Sequence, residues 1–151
     1  MAIEDDVNAL AQVPLFHSFT NEQLRLIAFG TEHLLLSKGR ELFREGDLAE
    51  CGFVVLSGAI SLVEDDKMNR RIVQTIGRGS LIGELALVTA TTRPCGAVAA
   101  ENSEVIRVNR NLMRRVLDEY PELAANLHAE ISARFAEFLK NVTKLDKKFA
   151  D

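Results

Sequence analysis

Between Leu81 and Ala100 only two residues carry charge, Glu84 and Arg93; the rest are apolar, small or hydroxyl-bearing. Glu84 directly follows Gly83 at the head of "GELALVTA", a stretch whose Glu, Leu and Ala predict a short helix. The first N–H groups of a helix lack intrahelical acceptors, and its positive end favours an anion. Gly83, without a side chain, lets a ligand approach the backbone. Arg93 returns on the next segment with a planar fork of donors suited to a phosphate. Leu85, Ala86, Val88, Ala97 and Val98 would wall a small dry pocket. A carboxylate repels phosphate, so Glu84 would accept from a neighbouring sugar hydroxyl or hold Arg93 in place. The chemistry is that of a nucleotide monophosphate with a free ribose hydroxyl. The competing reading is a structural ion pair between Glu84 and Arg93, although burying such a pair is seldom a net gain.

These residues need elements to position them. Residues 1–30 read as N-terminal helices. Thr20 and Gln23 fit a capping box, and Leu24, Ile27 and Ala28 give an apolar face that ends near Gly30. Residues 31–108 change period. The runs "HLLLS", "RELFRE", "GFVVLSG", "AISLVED", "RRIVQTI", "GAVAA" and "EVIRV" alternate with turn signals, among them Gly46-Asp47 and Gly58. Such spacing predicts an antiparallel β-barrel, of a jelly-roll, double-stranded β-helix kind. The helical stretch, within a cassette over 82–97, interrupts that pattern, and departures from local consistency often mark functional sites. Residues 109–151 read as two C-terminal helices, the first stopped before Pro121. On the second, Leu123, Leu127, Ile131, Phe135, Phe138, Val142, Leu145 and Phe149 form one apolar stripe. It suits packing within the chain and a helix–helix seam between two copies equally. The whole is expected to be one mainly β domain with flanking helices.

Bulk properties exclude some functions. The chain has 151 residues, net charge -4, 47% hydrophobic and 26% charged residues. No global basic field attracts nucleic acid or an anionic membrane. The basic residues lack interleaved aromatics, no apolar run is long enough to span a bilayer, and the acidic start "MAIEDDVNAL" is unlike a secretory signal. A cytoplasmic protein is expected, without membrane or nucleic-acid binding. Cys51, Cys95, His17, His33 and His128 have no metal-ligand spacing, so two reduced thiols and no metal are expected. No nucleophile–base–acid set, Walker motif or kinase loop is visible, so no enzyme is expected.

The segments "FREGDLAECGFVVLSGAISLVEDD" and "GRGSLIGELALVTATTRPCGAVAAENSEVIRVNRN" resemble the cyclic nucleotide-binding domain, the module of catabolite-activator-type regulators, protein kinase A regulatory subunits and nucleotide-gated channels. The resemblance rests on the order of a leading "PLF", Gly46-Asp47, Gly58, Gly-Glu-Leu-Ala-Leu, the returning Arg93 and two terminal helices. It implies that Arg93 binds the cyclic phosphate of cyclic AMP or cyclic GMP and Glu84 the ribose 2′-hydroxyl. Gly83, Leu85 and Ala86 would line the phosphate through their backbone. The last helix would act as a lid and transmit occupancy to a protein partner or in a homodimer. With Asp151 as its last residue, no DNA-reading domain is expected after the last helix. The family usually has a small residue with a free N–H after the arginine. Here Pro94 removes that donor, Cys95 stands for another small residue, and Gly96 for a common hydroxyl. A lost hydrogen bond to a charged group costs about 1.5–3 kcal/mol. The alternative is therefore a scaffold or dimerisation module of the same fold that no longer binds nucleotide.

Overall fold

The computed structural model describes residues 3–65 and 69–150, with side chains of the last helix described through residue 137 apart from position 135. The chain opens with α1 (Ile3–Ala11), whose first turn carries Glu4, Asp5 and Asp6 against the positive helix end. A 3-10 turn over Pro14–Phe16 leads to α2 (Asn21–Phe29). The expected capping box is present: Gln23 N donates to Thr20 Oγ1 at 3.2 Å, and Thr20 N to Gln23 Oε1 at 2.8 Å. Leu24, Ile27 and Ala28 are buried on one face.

Ten strands follow: β1 (Glu32–Leu36), β2 (Glu41–Phe43), β3 (Leu48–Ala49), β4 (Cys51–Ser57), β5 (Ala59–Asp65), β6 (Arg70–Gly77), β7 (Leu81–Ile82), β8 (Thr91–Thr92), β9 (Gly96–Ala99) and β10 (Ser103–Asn109). The seven runs read from the sequence are β1, β2, β4, β5, β6, β9 and β10. They do not close into the expected barrel. They form two four-stranded antiparallel sheets, ordered β1-β10-β4-β7 and β2-β9-β5-β6, and a two-stranded one, β3-β8. At one edge of the first sheet β7 is a two-residue stub. β7 meets β4 only at Phe53↔Ile82 and Val54↔Leu81.

The first large sheet is covered on both faces. Phe53, Val55 and Val105 point into a core shared with Ile60, Ala97 and Ala99 of the second sheet. Their neighbours Val54, Ile106 and Val108 point the other way, into a core built with the helices. That two-sided burial is why "FVV" is continuously apolar rather than alternating. The second sheet ends in β6, which is exposed along nearly its whole length and has no strand on its outer side among the described residues. Gly58 turns the chain from β4 to β5 at φ 81°; a Cβ there would run into Ser103 and Asn102 O, so only glycine fits.

Helix α3 (Arg110–Glu119) ends before Pro121, as expected, and α4 runs Pro121–Ala150. Leu123, Leu127 and Ile131 of α4 are buried with α1, α2 and α3. The later half of the predicted stripe, Phe135, Phe138, Val142, Leu145 and Phe149, lies outside the described side chains. No helix among the described residues is long and apolar enough to cross a membrane.

Candidate functional site

The expected cassette helix is a single 3-10 turn, Glu84–Leu87. Gly83 enters it in the left-handed conformation at φ 80°, which glycine adopts without strain. The turn closes with Ala86 N to Gly83 O at 3.1 Å and Val88 N to Leu85 O at 3.2 Å. The chain must then run out to pair β8 with β3, at Leu48↔Thr92 and Ala49↔Thr91, and this caps the length of the helix. Four residues carry no macrodipole worth the name, so the anion attraction expected from a helix end falls away. Ala86 and Leu87 are buried and Leu85 points outward.

Arg93 is the centre of the site. It follows β8 and is 5% exposed. Main-chain bonds pin it on both sides: Arg93 N donates to Asp47 O at 2.8 Å, and Gly46 N to Arg93 O at 2.9 Å. Its side chain runs under Gly83. Nη2 donates to Cys51 O at 2.8 Å and lies 3.5 Å from Cys51 Sγ. The guanidinium carbon sits 4.3 Å from the centroid of Phe43 and 5.4 Å from that of Phe53. Those rings stack on each other at 6.0 Å. The cation thus rests on π faces and one carbonyl, and no carboxylate pairs with it among the described residues. Gly83 belongs to the same arrangement, because a Cβ there would run into Arg93 Nη1. Burial pushes the Cys51 thiol up, against the pull of the nearby Arg93.

Glu84 does not join Arg93. The competing reading of a structural ion pair between the two does not hold, since no such pair forms among the described residues. Glu84 Oε2 turns to Arg134 Nη1 on α4, at 3.6 Å, and Glu130 stands one turn away on that helix, 3.6 Å from Arg134 Nη2. Burial raises the Glu84 carboxyl above the usual range, Arg134 lowers it and Glu130 raises it further. Glu84 and Arg134 border a cavity of ≈ 400 Å³ with Pro14, Gln74, Thr75 and Ser80; Arg93 is not on it. Pro94 is exposed at a bend and Cys95 half-buried; burial, then Glu64 and Glu45, raise the Cys95 thiol. Both cysteines are free.

Three participants were not legible as site residues. Phe43 and Phe53 read as ordinary strand apolars, and nothing in the sequence singled out Arg134. Their only signal was type: an aromatic pair in the runs that flank the Gly46 and Gly58 turns.

A sequence profile described as the cyclic nucleotide-binding domain matches residues 34–120, which include every residue of this arrangement except Pro14, Glu130 and Arg134. The chain belongs to the cyclic nucleotide-binding domain family. This domain is 30% identical over 125 residues to the cyclic AMP receptor protein of Thermus thermophilus, covering 82% of the chain and 58% of the receptor. It is 32% identical over 123 residues to lysophospholipase nte1 of Neurospora crassa, covering 81% of the chain and 8% of that enzyme. The solved structure of a cyclic nucleotide-binding-like protein from Brucella abortus is 48% identical, with a TM-score of 0.70, covering 76% of this chain and 98% of the other. The domain therefore spans a small part of the lysophospholipase and little more than half of the receptor. The reading as no enzyme is refined accordingly: the fold is a regulatory one that also occurs as a segment of much larger enzymes.

Proposed function

We propose that the chain is a non-catalytic cytoplasmic module that binds cyclic AMP or cyclic GMP and passes its occupancy to a protein partner through α4. The observation that carries this reading is Arg93: a buried guanidinium, fixed by neutral groups and left without a counter-ion among the described residues. Nη2 is committed to Cys51 O, while Nη1 and Nε make no hydrogen bond among the described residues. Those nitrogens can donate to a phosphate. Backbone groups of Gly83, Leu85, Ala86 and Cys95 would complete the cradle, with Pro94 giving no N–H. Glu84 would take the ribose 2′-hydroxyl once it leaves Arg134. That exchange gives the ligand a different affinity for two positions of α4, which any ligand-driven shift requires. The Thermus relative, named a cyclic AMP receptor protein, supports the same ligand class.

A second reading has its own support. Arg93 points inward onto protein groups, and Pro94 removes a donor from the phosphate side. On that reading the chain is a scaffold or dimerisation module. Isothermal titration with each cyclic nucleotide, joined to thermal melting, decides between them. A ligand at a hundred times its Kd adds about 2.7 kcal/mol of stability. Binding heat and a raised Tm for at least one nucleotide are expected. Neither heat nor a shift with either would sink the nucleotide reading in favour of the scaffold.

A further inference from the structure

His33 on β1 lies between two carboxylates from different elements. Its Nε2 is 2.9 Å from Asp6 Oδ2 on α1, and its Nδ1 is 3.3 Å from Glu104 Oε1 on β10. In the β1–β10 ladder His33 pairs with Ile106, so Glu104 stands diagonally, two residues along on the same face. Asp6, His33 and Glu104 are all largely shielded from water. An imidazolium donates from both nitrogens, whereas a neutral imidazole has one donor and must turn a lone pair toward one of the two carboxylates. Two acceptors held on opposite sides of one ring therefore require its charged form.

Most of the charges around the ring favour that form. Asp5 and Asp6 come from α1 and Glu104 from β10, against Arg78 from the turn between β6 and β7. All four line a cavity of ≈ 430 Å³ together with His33. The neighbouring Glu32 of β1 is taken by Arg107 of β10, and Arg25 of α2 pairs with Glu4 of α1. Val7 and Leu10 of α1 are buried in the core shared with the other helices, and Ile3 packs against it. We propose that His33 is a proton-operated clasp that fastens α1 to β1 and β10 when charged and loosens it as the imidazole titrates. Asp6 and His33 lie outside the matched residues 34–120 and Glu104 lies within them, so the clasp ties the part of the chain that precedes the matched segment to the matched sheet.

The direction follows from linkage. The hydrogen bond that His33 donates to Asp6, opposed by burial, raises the His33 pKa above its ordinary value. A base so raised contributes its full stability below about pH 6.5 and loses it as pH climbs through the folded-state pKa. Loosening α1 uncovers Val7 and Leu10 and opens the cavity beneath.

The test uses the full chain. The His33 ring is followed by NMR titration, and exchange of the α1 amides is measured at about pH 6 and about pH 8.5, each rate divided by its intrinsic chemical rate. The ring midpoint is expected above about 6.5, with α1 protection falling by up to about tenfold for each pKa unit of elevation while the β4 and β10 amides keep theirs. In His33→Gln the fall should vanish; in Asp6→Asn the ring midpoint should drop toward the ordinary value. A ring midpoint at or below about 6.5 in the wild-type chain, flat α1 protection, or a fall that survives in His33→Gln overturns the clasp. Should His33→Gln not fold, the Asp6→Asn midpoint decides alone, and an unmoved midpoint overturns it.

Discussion

Arg93 and the arginines of the β5–β6 hairpin are the same residue type in opposite settings. On the hairpin, Arg71 Nη2 meets Glu64 Oε2 at 2.7 Å and Arg70 Nε meets Asp65 Oδ1 at 3.1 Å, in water. Pairing there is cheap and worth about 0–1 kcal/mol. At Arg93 pairing would matter most, and the one acid in the same segment, Glu84, is spent on Arg134 instead. The protein therefore neutralises charges where it gains little and leaves one open where it costs most. The difference teaches that Arg93 is held by geometry, through a carbonyl and two ring faces, with no carboxylate partner among the described residues.

The strongest way to break this comparison is to remove each arginine. Arg93→Leu is expected to cost about 3–5 kcal/mol of nucleotide binding, a hundredfold or more, in isothermal titration. Its ligand-free stability in urea should hold or rise, because an unpaired cation leaves the core. Arg71→Ala should leave affinity unchanged and move stability by no more than about 0.5 kcal/mol. Equal losses of affinity in the two variants would erase the distinction.

A middle-sized effect sharpens it. Gly83→Ala places a Cβ against Arg93 Nη1 at a φ of 80°. It should cost about 1–2 kcal/mol of stability from the left-handed backbone alone and about tenfold in affinity by displacing the guanidinium. In an Arg93→Leu background the steric part disappears, so the two changes should be less than additive. Strict additivity, read from denaturation of the single and double variants, would show that Gly83 and Arg93 are independent.

The smallest effect is expected at Pro94. Pro94→Ala restores an N–H beside Arg93 and should tighten binding by about tenfold, the lower end of what a hydrogen bond to a charged group supplies. Unfolded-chain freedom also grows, lowering ligand-free stability by about 0.4–1 kcal/mol. Unchanged affinity would mean that the missing donor never limited the site.

Local rules were readable in the sequence where a local rule governs. Thr20 and Gln23 cap α2 through bonds within one turn, and Pro121 separates α3 from α4. Long strands announced themselves by composition. The two-residue strands β3, β7 and β8 did not, since their existence depends on partners distant in the chain. Closure of the sheets was unreadable for the same reason: periodicity says which face is buried but not which edges bond. "GELALVTA" has helical propensity, yet Gly83 and the β3–β8 pairing leave it one turn. At the site, Glu84 and Arg93 stood out by type. Their separation, and the Phe43–Phe53 support under Arg93, depend on tertiary approach.

The bare outer rim of β6 has a bearing on how the protein behaves in quantity. Ile72 is 62% exposed and Val73 51%, on a long strand whose outward N–H and C=O groups have no protein partner among the described residues. Such an edge is a template for strand-to-strand polymerisation. Arg70 and Arg71 sit directly ahead of the two apolar side chains and act as gatekeepers, because stacking like strands would bring their charges together. The surface arginines that add little to folding would thus oppose self-association, an influence expected to grow with protein concentration and to fade as salt screens them.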